Sequence, residues 1–209
     1  VAHDVNCARR ATASAACWGA NNFGQLGLGT SGGNRQSPVA TPGVTSIDLG
    51  GGDEYMCSVD PDGNLWCWGR GVGFNTPTPT MVPGISNVVR VEGGLGHACA
   101  LDASGTLYCF GVNGNGQLGD GTTTANNTPT AVPLTDVRDF ALSRSHTCAV
   151  QANGHLYCFG SNSAGQVGTG SAGGSPRTPQ LFGLPRISSS AARFRGRATS
   201  VQFTKSMLW

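Results

Sequence analysis

The chain has 209 residues and a formal net charge of +2, with only 11% charged residues but 33 glycines and 11 prolines. This composition argues against a protein of amphipathic helices, and the small net charge gives no electrostatic reason to expect a nucleic-acid partner. No apolar run reaches the length that spans a bilayer, so we expect no membrane insertion. The composition predicts an all-β protein with many short strands and tight turns.

A repeat organises most of the chain. A cysteine followed by an aromatic residue and a glycine occurs four times, with the aromatic residue at positions 18, 68, 110 and 159. After three of these copies, a glycine-rich loop carries a glutamine at a fixed place, at Gln25, Gln117 and Gln166. The copy after Trp68 lacks this loop, and the next aromatic residue follows after only 42 residues. A repeat with a period of about fifty residues decides the fold class, because each copy forms one structural unit.

Each unit divides into four short strands. In the second unit, strands are predicted over residues 44–49, 55–59, 65–68 and 80–82, with turn residues between them. Both faces of the hairpin over 55–68 are apolar, which predicts that neighbouring sheets cover it on both sides. Four strands per unit and two apolar faces are typical of a β-propeller blade.

The third and fourth units resemble the regulator-of-chromosome-condensation repeat. The residues that carry the resemblance are His97-Ala98-Cys99-Ala100-Leu101, Gly105, Leu107-Tyr108-Cys109-Phe110-Gly111, Asn113 and Gly116-Gln117-Leu118-Gly119, and again those from His146 to Gly168. The resemblance extends over roughly residues 1–187 and implies a propeller whose archetype has seven blades. The chain is therefore expected to form an incomplete propeller of about four to five blades of four-stranded antiparallel sheets, either an arc or part of a seven-bladed ring.

The predicted blade units cover approximately residues 1–43, 44–84, 85–133 and 134–185. Residues 188–209 reach the next aromatic position at Trp209 but lack the cysteines, and they are locally basic through Arg193, Arg195, Arg197 and Lys205. We interpret this segment as a degenerate partial blade, as a basic C-terminal tail for an acidic partner, or as the product of a coding-frame change. The sequence leaves these alternatives open.

The eight cysteines fall into four pairs with nine residues between partners. A three-residue loop over 61–63, with Gly63 in the left-handed region, places Cys57 opposite Cys67 in a non-hydrogen-bonded pair within disulfide reach. The same count places Cys99 opposite Cys109 and Cys148 opposite Cys158. Cys7 and Cys17 have the same spacing, but no glycine lies at the turn between them.

Buried free thiols are the main alternative to these disulfides, because free cysteine is commonly buried. A metal site is less expected, since metal-binding cysteines usually lie much closer together in sequence. Persistent disulfides would place the protein in an extracellular, periplasmic or cell-surface location.

No catalytic constellation stands out, so we expect no enzyme activity and no cofactor or metal. His97 and His146 recur two residues before a cysteine, and we assign them, with Gln25, Gln117 and Gln166, to structural roles in the repeat. Propellers place variable connections at their rims, so rim loops supply the candidate binding residues. These are Asn21, Asn22, Phe23, Phe74, Asn75, Asn113, Asn115 and Asn162.

The resemblance raises guanine-nucleotide exchange on a nuclear small GTPase, but the cysteine pairs argue against a reducing compartment and hence against that activity. It also includes secreted bacterial propellers, one group of which inhibits β-lactamases through loops at one rim. We therefore predict a secreted or cell-surface module that recognises a protein partner through rim loops. The alternatives are a structural or surface-array protein that self-associates through open blade faces, and an inhibitor of a secreted enzyme such as a β-lactamase.

Overall fold

The computed structural model describes residues 4–182 and two short strands over 194–197 and 200–203. Every regular element in these residues is a β-strand, as the composition predicts. The strands are β1 (Val5–Arg9), β2 (Ser14–Gly19), β3 (Arg35–Thr45), β4 (Asp48–Gly51), β5 (Tyr55–Val59), β6 (Leu65–Gly71), β7 (Phe74–Met81), β8 (Val88–Gly93), β9 (His97–Asp102), β10 (Leu107–Gly111), β11 (Asn126–Ala131), β12 (Val137–Leu142), β13 (His146–Gln151), β14 (Leu156–Gly160), β15 (Gln180–Leu181), β16 (Phe194–Arg197) and β17 (Ser200–Phe203).

Consecutive strands pair antiparallel into separate sheets. Blade 1 has three described strands, β1–β3, whereas blade 2 (β4–β7), blade 3 (β8–β11) and blade 4 (β12–β15) each have four. The first strands of blades 2, 3 and 4 lie side by side, since β8 contacts both β4 and β12. The hairpin β16–β17 is a separate two-stranded sheet, and β16 lies beside β12. This arrangement is an incomplete β-propeller, as the repeat predicts.

Neighbouring blades cover both faces of each inner hairpin. In blade 2, Cys57 and Val59 pack into a core cluster with Phe110 of blade 3. On the opposite face, Met56 and Trp68 pack with blade 1. The prediction of a sheet that is apolar on both sides is therefore confirmed. Trp68, Phe110 and Phe159 are completely buried, and burial of each contributes on the order of 2–3 kcal/mol.

The inner hairpins place each cysteine directly opposite its partner. In blade 2, Gly63 has φ +78° and its N–H donates to Asp60 O at 3.0 Å, which closes the predicted three-residue loop. The resulting register pairs Cys57 with Cys67, and the Cα atoms of all four cysteine pairs lie 4.1 Å apart. The structure forms a disulfide in each of the four hairpins.

The first hairpin closes without a turn glycine. Ala13 takes the left-handed position with φ +62°, and the Arg10 N–H donates to Ser14 O at 2.9 Å. The loop therefore has the same length as the glycine-containing loops, and Cys7 pairs with Cys17. The sequence left this pairing open because alanine seldom adopts positive φ.

One strand prediction was wrong. The structure ends β3 at Thr45 and begins β4 at Asp48, so the strand predicted over 44–49 spans the connection between blades 1 and 2. The chain leaves the outermost strand of one sheet there and enters the innermost strand of the next, and the Ser46 N–H donates to Ala13 O at 2.7 Å. Residues 183–193, 198–199 and 204–209 lie outside the described residues, as does the interpretation of Arg193, Lys205 and Trp209.

Candidate functional site

Two sets of loops share one end of the sheets. Because successive strands are antiparallel, the connections after the first and third strands of blades 2–4 emerge at the same end. In blade 1, β1–β3 correspond to the second to fourth strands of the other blades, so the connection after β2 lies at this end. We call this end the loop rim. Its segments are 20–34, 52–54, 72–73, 94–96, 112–125, 143–145 and 161–179.

Three loops of the rim share one internal frame, centred on an asparagine. The side-chain Oδ1 of Asn21, Asn113 and Asn162 accepts the backbone N–H five residues later, at 3.0–3.1 Å. The side-chain Nδ2 of each donates to the carbonyls nine and eleven residues later. All three asparagines are buried. They hold the loops from inside and leave no free amide for a partner.

A glutamine completes the frame. The Oε1 atoms of Gln25, Gln117 and Gln166 accept backbone N–H groups two residues earlier, at 2.8–2.9 Å. The preceding glycines adopt φ between +74° and +79°, which favours glycine over any residue with a Cβ. The backbone of the three loops is therefore set by the same residues. The tips between them differ, with Asn22-Phe23, Gly114-Asn115 and Ser163-Ala164.

The frames of blades 1 and 3 end in contact with the next blade. A Cβ on Gly119 would lie 2.6 Å from the Phe159 ring, and one on Gly27 would lie 2.9 Å from Trp68 Nε1. Trp68 Nε1 also donates to Gln25 O at 3.0 Å. The repeated glycine-rich loop and the repeated aromatic residue thus form one contact between blades, which explains why they occur together in the sequence.

The other candidate binding residues have mixed environments. Asn22 and Asn75 are exposed, whereas Phe23 and Asn115 are half-buried. Phe74 packs partly against the core between blades 2 and 3. The exposed and half-buried tips are the side chains that a partner can reach.

Phe23 is fixed by a cation–π contact that crosses two blades. The guanidinium carbon of Arg70 lies 3.5 Å from the centre of the Phe23 ring. Arg70 also forms a bidentate ion pair with Glu54, with Nε–Oε2 at 2.7 Å and Nη2–Oε1 at 2.8 Å. These contacts tie the first loop to blade 2. Sequence reasoning missed Arg70 and Glu54 because residues on different strands show no common spacing.

A cavity of about 250 Å³ opens beside this contact. Its lining combines apolar and charged groups from blades 1, 2 and 4, and Asn22 also borders it. The charged lining residues are Asp4, Asp53, Glu54 and Arg144, and Ala20, Phe23 and Gln25 complete the lining. Only Phe23 and Asn22 among these were predicted as binding residues, because the sequence does not show that Arg144 lies near the first loop.

The two repeated histidines are buried rather than exposed on the rim surface. His97 is completely buried, and its Nε2 lies 3.1 Å from Thr147 Oγ1 of blade 4. His146 Nδ1 lies 2.7 Å from Ser143 Oγ. Burial lowers the pKa of His97 to about 3, helped by repulsion from His146, and burial also lowers the pKa of His146. Both rings are therefore neutral near pH 7. The His97 ring bridges blades 3 and 4, whereas the His146 ring contacts Ser143 within blade 4.

Among residues 4–182, no three His, Cys, Asp or Glu side chains lie close enough together to hold a metal ion. In the same part of the chain, no helix is long and apolar enough to cross a membrane.

The repeat matches known family models. A model described as "Regulator of chromosome condensation (RCC1) repeat" matches residues 104–150, and a second model with that description matches 88–117 and 137–166. The chain thus carries RCC1-like repeats within residues 88–166, and its fold is a β-propeller.

Similar proteins agree with this assignment. The chain is 30% identical over 129 residues to the E3 ubiquitin-protein ligase HERC2 of Homo sapiens, a match that covers 55% of the chain and 3% of HERC2. The structure of Prp20p from Saccharomyces cerevisiae matches with a TM-score of 0.79 and 23% identity, covering 94% of the chain and 51% of Prp20p. Human WBSCR16 matches with a TM-score of 0.78 and 21% identity, covering 88% of the chain and 52% of WBSCR16. The chain thus spans about half of each solved structure and a small part of HERC2.

Proposed function

We propose that this chain is a non-catalytic protein-binding module of an extracellular, periplasmic or cell-surface propeller, and that the loop rim recognises the partner. One observation carries the proposal. Three loops share a backbone frame of buried asparagine, glutamine and glycine, yet differ at their tips. Rigid scaffolds that present different loop tips on one side are well suited to recognition.

The comparisons support protein binding by this fold. Prp20p was characterised together with its binding properties to Gsp1p and histones. The likeness to Prp20p concerns the fold, so we take from it only that an RCC1-like propeller presents surfaces to proteins. The partner of this chain is expected to differ, because its rim residues determine which protein it binds.

The four disulfides support the proposed location. Each one closes a hairpin with a sequence separation of 10 residues, and a loop of this size contributes roughly 2–3 kcal/mol when it is cross-linked. Reducing compartments would remove this stabilisation from every described blade. An oxidising environment is therefore the one in which this sequence gains most from its cysteines.

The test is affinity capture from the native secretome with a loop-tip exchange. In the exchanged variant, Asn22→Gly and Phe23→Asn give the first loop the tip of the third blade while keeping the frame. A matched control changes exposed residues at the opposite end, Asp62→Asn and Ser104→Ala. We expect the control to retain the captured protein and the exchanged variant to lose it. Equal capture by both variants, or recovery of this chain alone, would contradict the proposal.

A second candidate function is self-assembly through an open blade face, and Trp18 favours it. The equivalent residues Trp68, Phe110 and Phe159 are completely buried, whereas Trp18 is half-buried. A second copy that covers this face would bury Trp18 as well. Light scattering tests this: assembly predicts an oligomer that Trp18→Gln dissociates, and a strictly monomeric wild-type chain would exclude it.

A further inference from the structure

We propose that the rim cavity binds a lysine or arginine side chain of the protein partner, an inference that rests on the function proposed above. The cavity has a volume of about 250 Å³. Pockets for drug-sized ligands usually range from about 300 to 1,000 Å³, so this one is small for such a ligand. Its size suits a single long side chain that enters from a docked protein surface.

The charges of the lining favour a cation. Asp4, Asp53 and Glu54 supply three carboxylates, and Arg144 supplies the one guanidinium of the lining. Glu54 is already held by Arg70 in the bidentate pair. Asp4 and Asp53 form no ion pair within the described residues, so two carboxylates face one guanidinium. A basic side chain would balance this excess of negative charge.

A glutamine amide at the cavity adds a hydrogen-bond donor to its lining. Gln25 is only 2% exposed and lines the cavity. Its Oε1 accepts the Phe23 N–H at 2.9 Å, but its Nε2 donates to no group within the described residues. In blade 4, the equivalent Gln166 Nε2 donates to Ser161 Oγ at 3.3 Å. The Nε2 hydrogens of Gln25 therefore remain available to a backbone carbonyl beside the bound side chain.

The apolar wall of the cavity is held in place before any ligand arrives. Phe23 is fixed by Arg70 on one side of its ring, and Arg70 is fixed by Glu54. The aliphatic stem of lysine or arginine packs well on such a surface while its charged end remains near carboxylates. Because the wall is already ordered, binding loses little side-chain entropy.

The experiment uses capped peptides that differ at one central residue. Ac-Gly-Gly-Lys-Gly-Gly-NH₂ and its arginine, norleucine and glutamate counterparts are titrated into the full chain, and backbone amide shifts are followed by NMR. We expect the lysine and arginine peptides to shift the amides of Phe23, Gln25 and Asp53, and the norleucine peptide to have no effect. Added salt should weaken the binding because an ion pair contributes to it.

Two carboxylate variants and one arginine variant sharpen the result. Asp53→Asn should weaken binding of the lysine peptide about three- to fivefold, whereas Asp62→Asn at the opposite end should leave it unchanged. Arg144→Gln should strengthen it about threefold, because a repelling charge is removed. Equal binding of the norleucine peptide, preferred binding of the glutamate peptide, or no effect of Asp53→Asn would overturn the inference.

The peptide titration separates this inference from the proposed function. Loss of capture on loop-tip exchange, combined with no response to basic peptides, would overturn the basic-side-chain site alone. Binding of basic peptides in a chain whose capture is unaffected by loop-tip exchange would support the cavity and contradict the proposed role of the loop tips.

Discussion

Acid should destabilise this propeller through His97, which lies completely buried between blades 3 and 4. Thr147 Oγ1 donates to Gln117 O at 2.9 Å, so its oxygen accepts from His97 Nε2–H at 3.1 Å. The other ring nitrogen, Nδ1, is then unprotonated, and it is buried without a hydrogen-bond partner in the described residues. Protonation would create a buried charge and an unsatisfied N–H at that atom.

The size of the effect follows from the difference between the folded and unfolded pKa values. Burial lowers the pKa of His97 from 6.5 to about 3 in the folded chain. Below pH 6.5 the unfolded chain takes up a proton that the folded chain does not, so the free energy of unfolding falls as the pH falls. The loss is about 1.4 kcal/mol per pH unit, which gives about 2.7 kcal/mol at pH 4.5 relative to neutral pH.

The assay is urea unfolding followed by tryptophan fluorescence at pH 7.5 and pH 4.5. His97→Gln removes the titrating group, and His155→Gln, which removes an imidazole at the opposite end of the blades, is the matched control. Wild type and control should each lose about 2.7 kcal/mol more between the two pH values than His97→Gln. His146 adds the same acid sensitivity to all three chains. An equal pH dependence of His97→Gln and wild type would refute this assignment.

Three further predictions concern stability and are measured by the same unfolding assay at pH 7.5. The hydroxyl of Ser58 is buried without a hydrogen-bond partner, and blades 3 and 4 have alanine at the equivalent position. Ser58→Ala should therefore raise the free energy of unfolding by about 1 kcal/mol. A lower free energy of unfolding would show that the hydroxyl has a partner. Ala13→Gly should add about 0.5–1 kcal/mol because φ is +62° at this position, and a loss would exclude the left-handed turn. Replacing Cys57 and Cys67 together by alanine should cost about 3 kcal/mol, whereas an unchanged stability would exclude this disulfide.

The sequence predicted most of the fold because blade contacts repeat. The cysteine spacing and the turn glycines at 63, 105 and 154 give the register of three hairpins by counting alone. Ala13 is different, because its positive φ is imposed by strand pairing and by the contact of its carbonyl with Ser46. A residue that adopts an unfavourable conformation for tertiary reasons carries no local signal.

The candidate site was harder to predict than the fold. Asparagines at a loop tip and asparagines that hold a loop from inside have the same composition signal, so Asn21 and Asn22 could not be separated before their hydrogen bonds were known. The cavity joins Phe23 to Arg144, and these residues come from different blades with no common pattern. Only the closing of blades around an axis brings them together.

The disulfide-closed hairpin of each described blade is tested most directly by mass spectrometry of the protein recovered from its native source. Thiols are alkylated before cell disruption, and the cysteine-containing peptides are then mapped without reduction. We expect four linked pairs, Cys7 with Cys17, Cys57 with Cys67, Cys99 with Cys109 and Cys148 with Cys158, and no alkylated cysteine. Alkylation of the cysteines, or disulfides between different hairpins, would contradict both the disulfide-closed hairpins and the oxidising compartment inferred from them.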